Sequence, residues 1–424
     1  MNNLITEKDN NIVSVPNVEL EVAADLGNSK MKMIFDRDEK FILREPSVMR
    51  RIIKQPEITE TNEKKLMANI FDQLFANVSS PSIKRAGSFM VGKRALTSTG
   101  GTLQNMNINL GKKYKEDLPI INLLTYIAAK ATKDHYDANS VIPSALHVQC
   151  DLSTAIPASE YSAEKAGILE GRFKKDGHTV VLYIGDKQVT VQIFFKFVKV
   201  TREGVPSLYA ILEGPNEYFE EFNKTYHKES EKNIGGKFFA KKKILHADIG
   251  DGTSEYIYTE GMQPISDACT GARRGVGHAL EEASELLKDQ FNGNVELNRQ
   301  QLAETLRNKM DKYYAEARNC MDEAIISQAT LILEDIQETY IRNTSSQAEI
   351  FAVYGGGSVT FKDELYKELK EFADEVKAQL LWIPEEYAAD MNVLGLNIMN
   401  KRIFLKTKKK FKPETKEETK KLEV

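Results

Sequence analysis

Two stretches of the chain share one pattern of apolar and polar residues. In each, an apolar strand ends in an aspartate, a turn of small residues follows, and a second strand returns. The predicted strands are residues 19–24 and 30–35 in the first stretch, and residues 244–247 and 254–259 in the second. Small and polar residues between two apolar runs are typical of a β-hairpin. The repetition of this design predicts a chain built from two related halves.

The spacing of apolar residues predicts the other elements. Alternation with a period of two predicts strands, and recurrence at spacings of three and four predicts helices. Further strands are expected at residues 88–92, 145–150, 179–184, 189–200, 208–212 and 349–354. Helices are expected at residues 63–75, 117–135 and 385–400, throughout 276–342, and from near Thr360. Residues 97–112 and the basic residues 224–243 are predicted loops. Strands interspersed with helices predict an α/β protein with two lobes, each a mixed sheet flanked by helices.

The length of 424 residues allows two domains. We predict an N-terminal extension at residues 1–18 and a charged tail at 406–424. The first lobe is predicted from residues 19–156 and 384–405, with a smaller insert at about 36–118. The second lobe is predicted from residues 157–383, with a helical insert at about 272–345.

Charge and composition restrict the expected partners and location. With 58 basic and 62 acidic residues, the net charge of −4 does not favour direct binding of nucleic acid. A signal peptide and an apolar run long enough to cross a membrane are both missing from the pattern. Three isolated cysteines do not suggest a disulfide framework. We therefore expect a cytoplasmic protein without a membrane partner.

The first hairpin turn has the residue types that bind phosphate. Small residues let backbone N–H groups approach phosphate oxygens closely, and Gly27, Asn28 and Ser29 follow Asp25. Lys32, on the returning strand, could add a positive charge. Taken alone, this hairpin also fits an ordinary β-turn.

The second turn offers the same chemistry from another part of the chain. Asp248 is followed by the candidate phosphate-binding residues Gly250, Asp251, Gly252 and Thr253. If both turns faced one polyphosphate, their aspartates would repel each other unless a cation lay between them. Mg²⁺ held through water suits this position, since it gives up its hydration shell reluctantly. We therefore expect Asp25 and Asp248 to be the metal-binding residues.

Four motifs in order resemble those of the actin superfamily. Residues 248–254, Asp-Ile-Gly-Asp-Gly-Thr-Ser, resemble the second phosphate loop of actin and its bacterial relatives, and residues 25–32 are similar to the first. Gly355, Gly356 and Gly357 after an apolar strand resemble the adenosine motif. Residues 270–277 are similar to the segment that brackets the nucleoside from the other side, with Gly271 and Gly275 as candidate contacts.

Within that superfamily, the chain resembles the plasmid-segregation actins of the ParM group. The similar segments are residues 88–96, Ser-Phe-Met-Val-Gly-Lys-Arg-Ala-Leu, and residues 156–161, Ile-Pro-Ala-Ser-Glu-Tyr. The resemblance implies ATP with Mg²⁺, slow hydrolysis, head-to-tail filaments, and partition of plasmid DNA through a DNA-bound adaptor protein. GTP remains open as a second nucleotide.

The resemblance also assigns catalytic roles. It implies that Glu160 orients the water that attacks the γ-phosphate, and that Asp248 acts beside it. A negative charge near the start of a helix is the alternative reason for Glu160. Asp251 departs from the usual plasmid-actin loop and follows eukaryotic actin. The rival functions are a small-molecule kinase of the same superfamily, whose Asp base is not evident at residues 157–161, and a non-hydrolysing structural or chaperone-like relative.

Overall fold

The computed structural model describes residues 15–54, 57, 60–106, 112–227 and 233–404. The predicted tail at 406–424 and residues 1–14 of the predicted extension lie outside these ranges. Parts of the two predicted loops, residues 107–111 and 228–232, also lie outside them.

Strands and helices are interspersed along the described chain. The strands are β1 (Asn17–Leu26), β2 (Lys30–Phe35), β3 (Leu43–Pro46), β4 (Val48–Ile52), β5 (Phe75–Ser79), β6 (Gly87–Val91), β7 (Leu103–Asn105), β8 (Ala145–Ile156), β9 (His178–Ile184), β10 (Lys187–Arg202), β11 (Lys243–Ile249), β12 (Ser254–Glu260), β13 (Gln263–Pro264), β14 (Thr270–Ala272), β15 (Ile350–Tyr354) and β16 (Gln379–Trp382). The α-helices are α1 (Glu63–Ala68), α2 (Lys93–Thr97), α3 (Leu118–Asn139), α4 (Ala163–Phe173), α5 (Val205–Glu213), α6 (Glu220–Tyr226), α7 (Val276–Gln290), α8 (Arg299–Arg307), α9 (Tyr314–Arg342), α10 (Gly356–Thr360), α11 (Lys362–Glu375), α12 (Glu385–Ala388) and α13 (Met391–Met399).

The strands form two sheets. The larger sheet has the order β3-β2-β1-β8-β10-β9-β5-β6-β4-β7, and the smaller has the order β13-β12-β11-β15-β16, with β14 paired to β12. In the larger sheet β1 and β10 run parallel to β8, and in the smaller β11 and β16 run parallel to β15. Each sheet therefore contains one of the two predicted hairpins beside a parallel strand. The predicted α/β fold class, with two mixed sheets flanked by helices, is confirmed.

Buried apolar residues cover both sheets. The helix α3 packs on the larger sheet, because the apolar residues of its first four turns are almost all inaccessible to solvent. One face of the smaller sheet is covered by α7, α9 and α11, and the other by α5, α6 and α13. Among the described residues, no helix has the length and apolarity that a membrane span requires.

Three sequence predictions need correction. Residues 208–212 are part of the helix α5, because Gly204 turns the chain with a φ of +81° and the apolar residues of α5 pack against α13. The predicted helix at 63–75 ends as α1 at Ala68, and Phe75 instead pairs with β6. The predicted helix at 385–400 is divided at residues 389–390 into α12 and α13.

The sheets also disagree with the predicted start of the second lobe at residue 157. The strands β9 and β10 follow that residue, yet β10 pairs with β8 along twelve residues, from Thr190 to Arg202, apart from one bulge. They therefore lie in the larger sheet, between β8 and β5. Hydrogen bonds between distant strands decide this placement, and a local apolar pattern does not specify the partner of a strand.

Candidate active site

A cavity of about 630 Å³ lies where the two hairpins approach each other. Most of the residues predicted from sequence to bind nucleotide or metal line it: Asp25, Gly27, Asn28, Ser29, Lys32, Asp248, Gly250, Asp251, Thr253, Gly355, Gly356 and Gly357. A separate cavity of about 350 Å³, between α1 and the β9–β10 turn, has none of them. The cavity between the hairpins is therefore the candidate site, because its lining includes the predicted residues.

The first hairpin turn is tight and is held by an ion pair. Asp25 and Lys32 lie opposite each other in the β1–β2 pair, and their side chains form an ion pair at 3.3 Å. The Lys32 ammonium group also donates to the carbonyl of Ala389. A Cβ atom on Gly27 would lie 2.3 Å from the carbonyl oxygen of Lys30, so this turn admits only glycine at that position.

The second turn is closed by a hydrogen bond of 2.9 Å from the Gly250 N–H to the Thr253 carbonyl. The side chain of Asp251 faces Arg299 at the start of α8, with 3.6 Å between its Oδ2 and Nη1. Burial raises the pKa of Asp251, and Arg299 opposes that rise. Asp251 therefore links this turn to the α7–α9 region as well as lining the cavity.

Gly252, Gly271 and Gly275 were predicted to contact nucleotide, but they do not line the cavity. Gly275, with a φ of +141°, brings the start of α7 against the second turn, since a Cβ there would lie 2.4 Å from the Gly250 carbonyl oxygen. A Cβ on Gly271 would lie 2.3 Å from the Glu255 carboxylate. Close packing therefore explains the need for glycine at positions 271 and 275.

The three glycines after β15 lie against the end of β11. Gly355 has a φ of +93°, and a Cβ there would lie 2.3 Å from the Ile249 carbonyl oxygen and 2.6 Å from Oδ1 of Asp248. A Cβ on Gly357 would lie 2.7 Å from the Ile249 side chain. Glycine at 355 and 357 therefore lets this segment approach Asp248 and Ile249, the last two residues of β11.

Asp248 is buried and has a specific partner. Its Oδ2 accepts a hydrogen bond of 2.6 Å from the Asn392 amide of α13. Burial raises the pKa of Asp248 to about 7, and the negative charges of Glu203 and Asp25 add to the rise. A cation between the two aspartates would favour the ionised carboxylates.

Asp25 and Asp248 fit an Mg²⁺ ion that is also coordinated by the oxygens of a bound polyphosphate. The described residues contain no cluster of three or more side chains able to hold a metal. Mg²⁺ in phosphate sites commonly takes one or two carboxylates, with phosphate oxygens and water as its other ligands. Asp25 and Asp248 would supply that small protein contribution, either directly or through water ligands of the ion.

One end of the cavity is mostly apolar. The three helices that follow the second hairpin line it with two arginines, Arg307 and Arg318, and with the apolar side chains of Val276, Leu280, Ala303, Leu306, Met321 and Ile325. Leu306, Met321 and Ile325 lie on the predicted helical stretch 276–342 and face this cavity. An apolar surface opposite the polar hairpins suits a flat, apolar part of a ligand, such as a nucleobase.

Glu160 lies in the turn after β8, next to the cavity rather than in its lining. Its Oε2 accepts a hydrogen bond of 3.0 Å from the backbone N–H of Lys113. Burial raises the pKa of Glu160, and the positive charge of Lys113 opposes the rise. The carboxylate predicted to be catalytic is thus held by a residue that lines the cavity.

Nine polar residues that line the cavity were not predicted from sequence, and four of them lie beside the predicted carboxylates or Ser159: Lys113, Glu203, Glu255 and Asn392. The Nζ of Lys113 lies 2.5 Å from Oε1 of Glu203. Glu203 directly follows β10, and a carboxylate at a strand end was the one available signal, as at Asp25 and Asp248. The sequence held no such signal for Lys113 or Asn392, because neither residue belongs to a recognisable motif.

Glu255 connects the two sheets. Its carboxylate accepts hydrogen bonds from the Ser159 N–H at 3.0 Å and the Ser159 hydroxyl at 3.2 Å. Burial raises the pKa of Glu255 to about 8, and Glu203 adds to the rise. Because Ser159 precedes Glu160, this contact fixes the turn that carries the predicted catalytic carboxylate.

Comparison with known families and structures identifies the fold. Residues 246–367 match a family model described as archaeal actin homologue MreB-like, C-terminal. That match spans less than a third of the chain and includes the second hairpin and the three glycines. A search of curated proteins found no match.

Solved structures resemble nearly the whole chain. The actin-like protein Alp7A is 14% identical, with a TM-score of 0.66 over 93% of this chain and 98% of that one. A ParM from a 15-stranded Clostridium botulinum filament is 14% identical, with a TM-score of 0.62 over 91% and 99%. Bacillus thuringiensis ParM with ATP is 17% identical, with a TM-score of 0.53 over 90% and 98%. The chain therefore has the two-lobed actin fold.

Proposed function

We propose that this chain, which has the two-lobed actin fold, binds ATP with Mg²⁺ between its two hairpins and hydrolyses it slowly. We further propose that ATP drives head-to-tail assembly into dynamic filaments, and that these filaments segregate plasmid DNA through a DNA-bound adaptor protein. The similarity to solved structures of ParM, one with ATP and one in a filament, supports this choice within the actin fold.

One observation carries the nucleotide part of the proposal. Two turns from distant parts of the chain line the same cavity. Each follows an aspartate and contains a glycine at a position too crowded for a Cβ atom. Glycine is required in both by contacts closer than any Cβ allows. Such turns present backbone N–H groups to a ligand, and phosphate oxygens are the matching acceptors.

The protein groups would divide the work as follows. The amides of the two turns and the Lys32 ammonium group bind the phosphates. Asp25 and Asp248 would hold Mg²⁺, and that cation would neutralise charge on the phosphates. Glu160 accepts a hydrogen bond from the attacking water and aligns it with the γ-phosphate. The apolar end of the cavity receives the adenine base.

Filament formation follows from asymmetric contacts between copies. If one surface of a copy binds a different surface of the next copy, and the rotation between copies does not close a ring, the assembly grows into a filament. ATP binding would favour the closed arrangement of the lobes and thereby the contact between copies. Hydrolysis would then weaken that contact, which makes the filament dynamic.

The decisive experiment pairs phosphate release with right-angle light scattering on one sample, with and without ATP and Mg²⁺. Negative-stain microscopy then identifies any filaments. We expect scattering to rise with ATP and to fall as phosphate is released. Glu160→Gln should keep ATP binding and assembly but slow phosphate release about 10²–10⁴-fold, so its filaments should persist.

The other outcomes separate the rival functions. ATP binding without assembly, together with phosphate transfer to a small molecule, would indicate a kinase. Assembly without phosphate release would indicate a non-hydrolysing structural protein. If wild type and Glu160→Gln release phosphate at the same rate, Glu160 does not position the water.

A further inference from the structure

We propose that Lys113 recognises the γ-phosphate of ATP, and that Glu203 holds the Lys113 ammonium group in place when the γ-phosphate is missing. This inference rests on the proposed function, because it assigns a residue of the same site to one part of the ligand. Neither residue belongs to a motif that the sequence analysis identified.

Lys113 is a buried cation with its charged end at the cavity. Its side chain is 3% exposed, and its Nζ contacts Oε1 of Glu203 at 2.5 Å. A lysine so thoroughly removed from water is costly unless its charge is compensated. Glu203, itself almost fully buried, provides that compensation in the structure without ligand.

The surrounding charges keep Lys113 protonated. Burial lowers the pKa of the Lys113 amine, but the carboxylates of Glu203, Asp25 and Glu160 outweigh burial and raise it overall. Lys113 thus brings a full positive charge to a region that is otherwise dominated by carboxylates. A phosphate group that entered there would meet this cation and could replace Glu203 as its partner.

The position of Lys113 in the cavity selects the terminal phosphate. The apolar surface that suits the base is built by α7, α8 and α9. The charged partners of Lys113 belong instead to β1, the end of β10 and the turn after β8. A nucleotide whose base lies on the apolar helices extends its phosphates past the two turns, and its last phosphate lies nearest Lys113.

Lys113 also connects this phosphate to the predicted catalytic carboxylate. Its backbone N–H donates to Glu160 while its side chain bonds Glu203. One residue therefore binds both carboxylates through different atoms. A γ-phosphate bound by the Lys113 side chain would therefore be linked through one residue to the amide that holds Glu160.

The test measures ATP and ADP affinity, both with Mg²⁺, by calorimetry on full-length variants. A charge-assisted hydrogen bond to the γ-phosphate predicts that Lys113→Met weakens ATP binding about 10- to 100-fold. ADP binding should stay within about twofold. Glu203→Gln should do the opposite, because it removes a competitor for Lys113 and a repelling charge, so the preference for ATP over ADP should increase.

Two further variants distinguish a specific loss of ATP binding from a failure to fold. Lys113→Met combined with Glu203→Gln leaves no unpaired buried charge and should show the same selective loss of ATP affinity. Lys112→Met changes the neighbouring exposed lysine and should behave as wild type. Retained ADP affinity demonstrates that a variant has folded.

The outcomes distinguish this inference from the proposed function. If wild type binds ATP but the double variant binds ATP equally well, or loses ATP and ADP to the same extent, the assignment of Lys113 is wrong and the proposed function stands. If wild type binds neither nucleotide, both are wrong. A selective loss of ATP affinity, with the opposite effect in Glu203→Gln, supports the inference.

Discussion

Gly395 lies where the helices α5 and α13 touch, and its replacement by alanine should destabilise the protein. A Cβ at this position would lie 1.8 Å from the Pro206 carbonyl oxygen and 2.2 Å from its carbonyl carbon. Ordinary contacts of this kind need more than about 3 Å, so the helices would have to separate by about 1 Å or more.

Two effects of Gly395→Ala oppose each other. Alanine in the interior of a helix is favoured over glycine by about 1 kcal/mol. Overpacking in a well-filled core costs typically about 1–3 kcal/mol and occasionally more. Here the overlap is with backbone atoms, which cannot rotate away, so the steric cost should prevail. We expect a net loss of about 2 kcal/mol in the free energy of unfolding.

The displacement would also reach the candidate site. Asn392 lies one turn before Gly395 in α13, and its amide oxygen accepts from the Gly204 N–H and the Ser207 hydroxyl, each at 3.0 Å. Its amide nitrogen donates to Asp248. Separation of α13 from α5 would disturb these bonds, so weaker ATP binding should accompany the loss of stability.

Urea denaturation followed by the fluorescence of Trp382, the sole tryptophan, measures the effect. Trp382 is buried in β16 and should report unfolding of the smaller sheet. Gly167→Ala is the matched control, because Gly167 lies inside α4 with nothing within 4 Å of a Cβ. That variant should gain up to about 1 kcal/mol. If Gly395→Ala is as stable as wild type while Gly167→Ala gains stability, the close packing of α5 and α13 is refuted.

Three further predictions concern the site and its surroundings. Burial raises the pKa of Glu45 from 4.5 to about 7, so its contribution to stability is full below pH 4.5 and is lost as pH rises through about 7. Glu45→Gln should remove about 3 kcal/mol of that pH dependence in melting curves, and an unchanged profile would contradict the raised pKa. Arg299→Met leaves the Asp251 carboxylate without its cation and should cost about 2 kcal/mol in thermal unfolding, with partial recovery in Arg299→Lys. Gly355→Ala would place a Cβ 2.3 Å from the Ile249 carbonyl oxygen and should abolish ATP binding in calorimetry; wild-type affinity would exclude this close approach.

The local pattern of the sequence determined the elements that carry the site. Strands ending at Asp25 and Asp248, followed by glycine-containing turns, were predicted because apolar alternation and turn residues act over a few positions. The confirmed α/β class follows from the same local signals. The family resemblance added which turns matter, and the two turns do line one cavity.

The tertiary structure alone decided what lies between those turns. The pairing of β10 with β8 joins residues about 45 positions apart and brings Glu203 to the site. Lys113 approaches Glu203 across 90 positions, and Asn392 approaches Asp248 across 144. The short apolar run at 208–212 is helical because its apolar residues pack against α13. Contacts between distant residues depend on strand order and helix packing, which no window of neighbouring residues specifies.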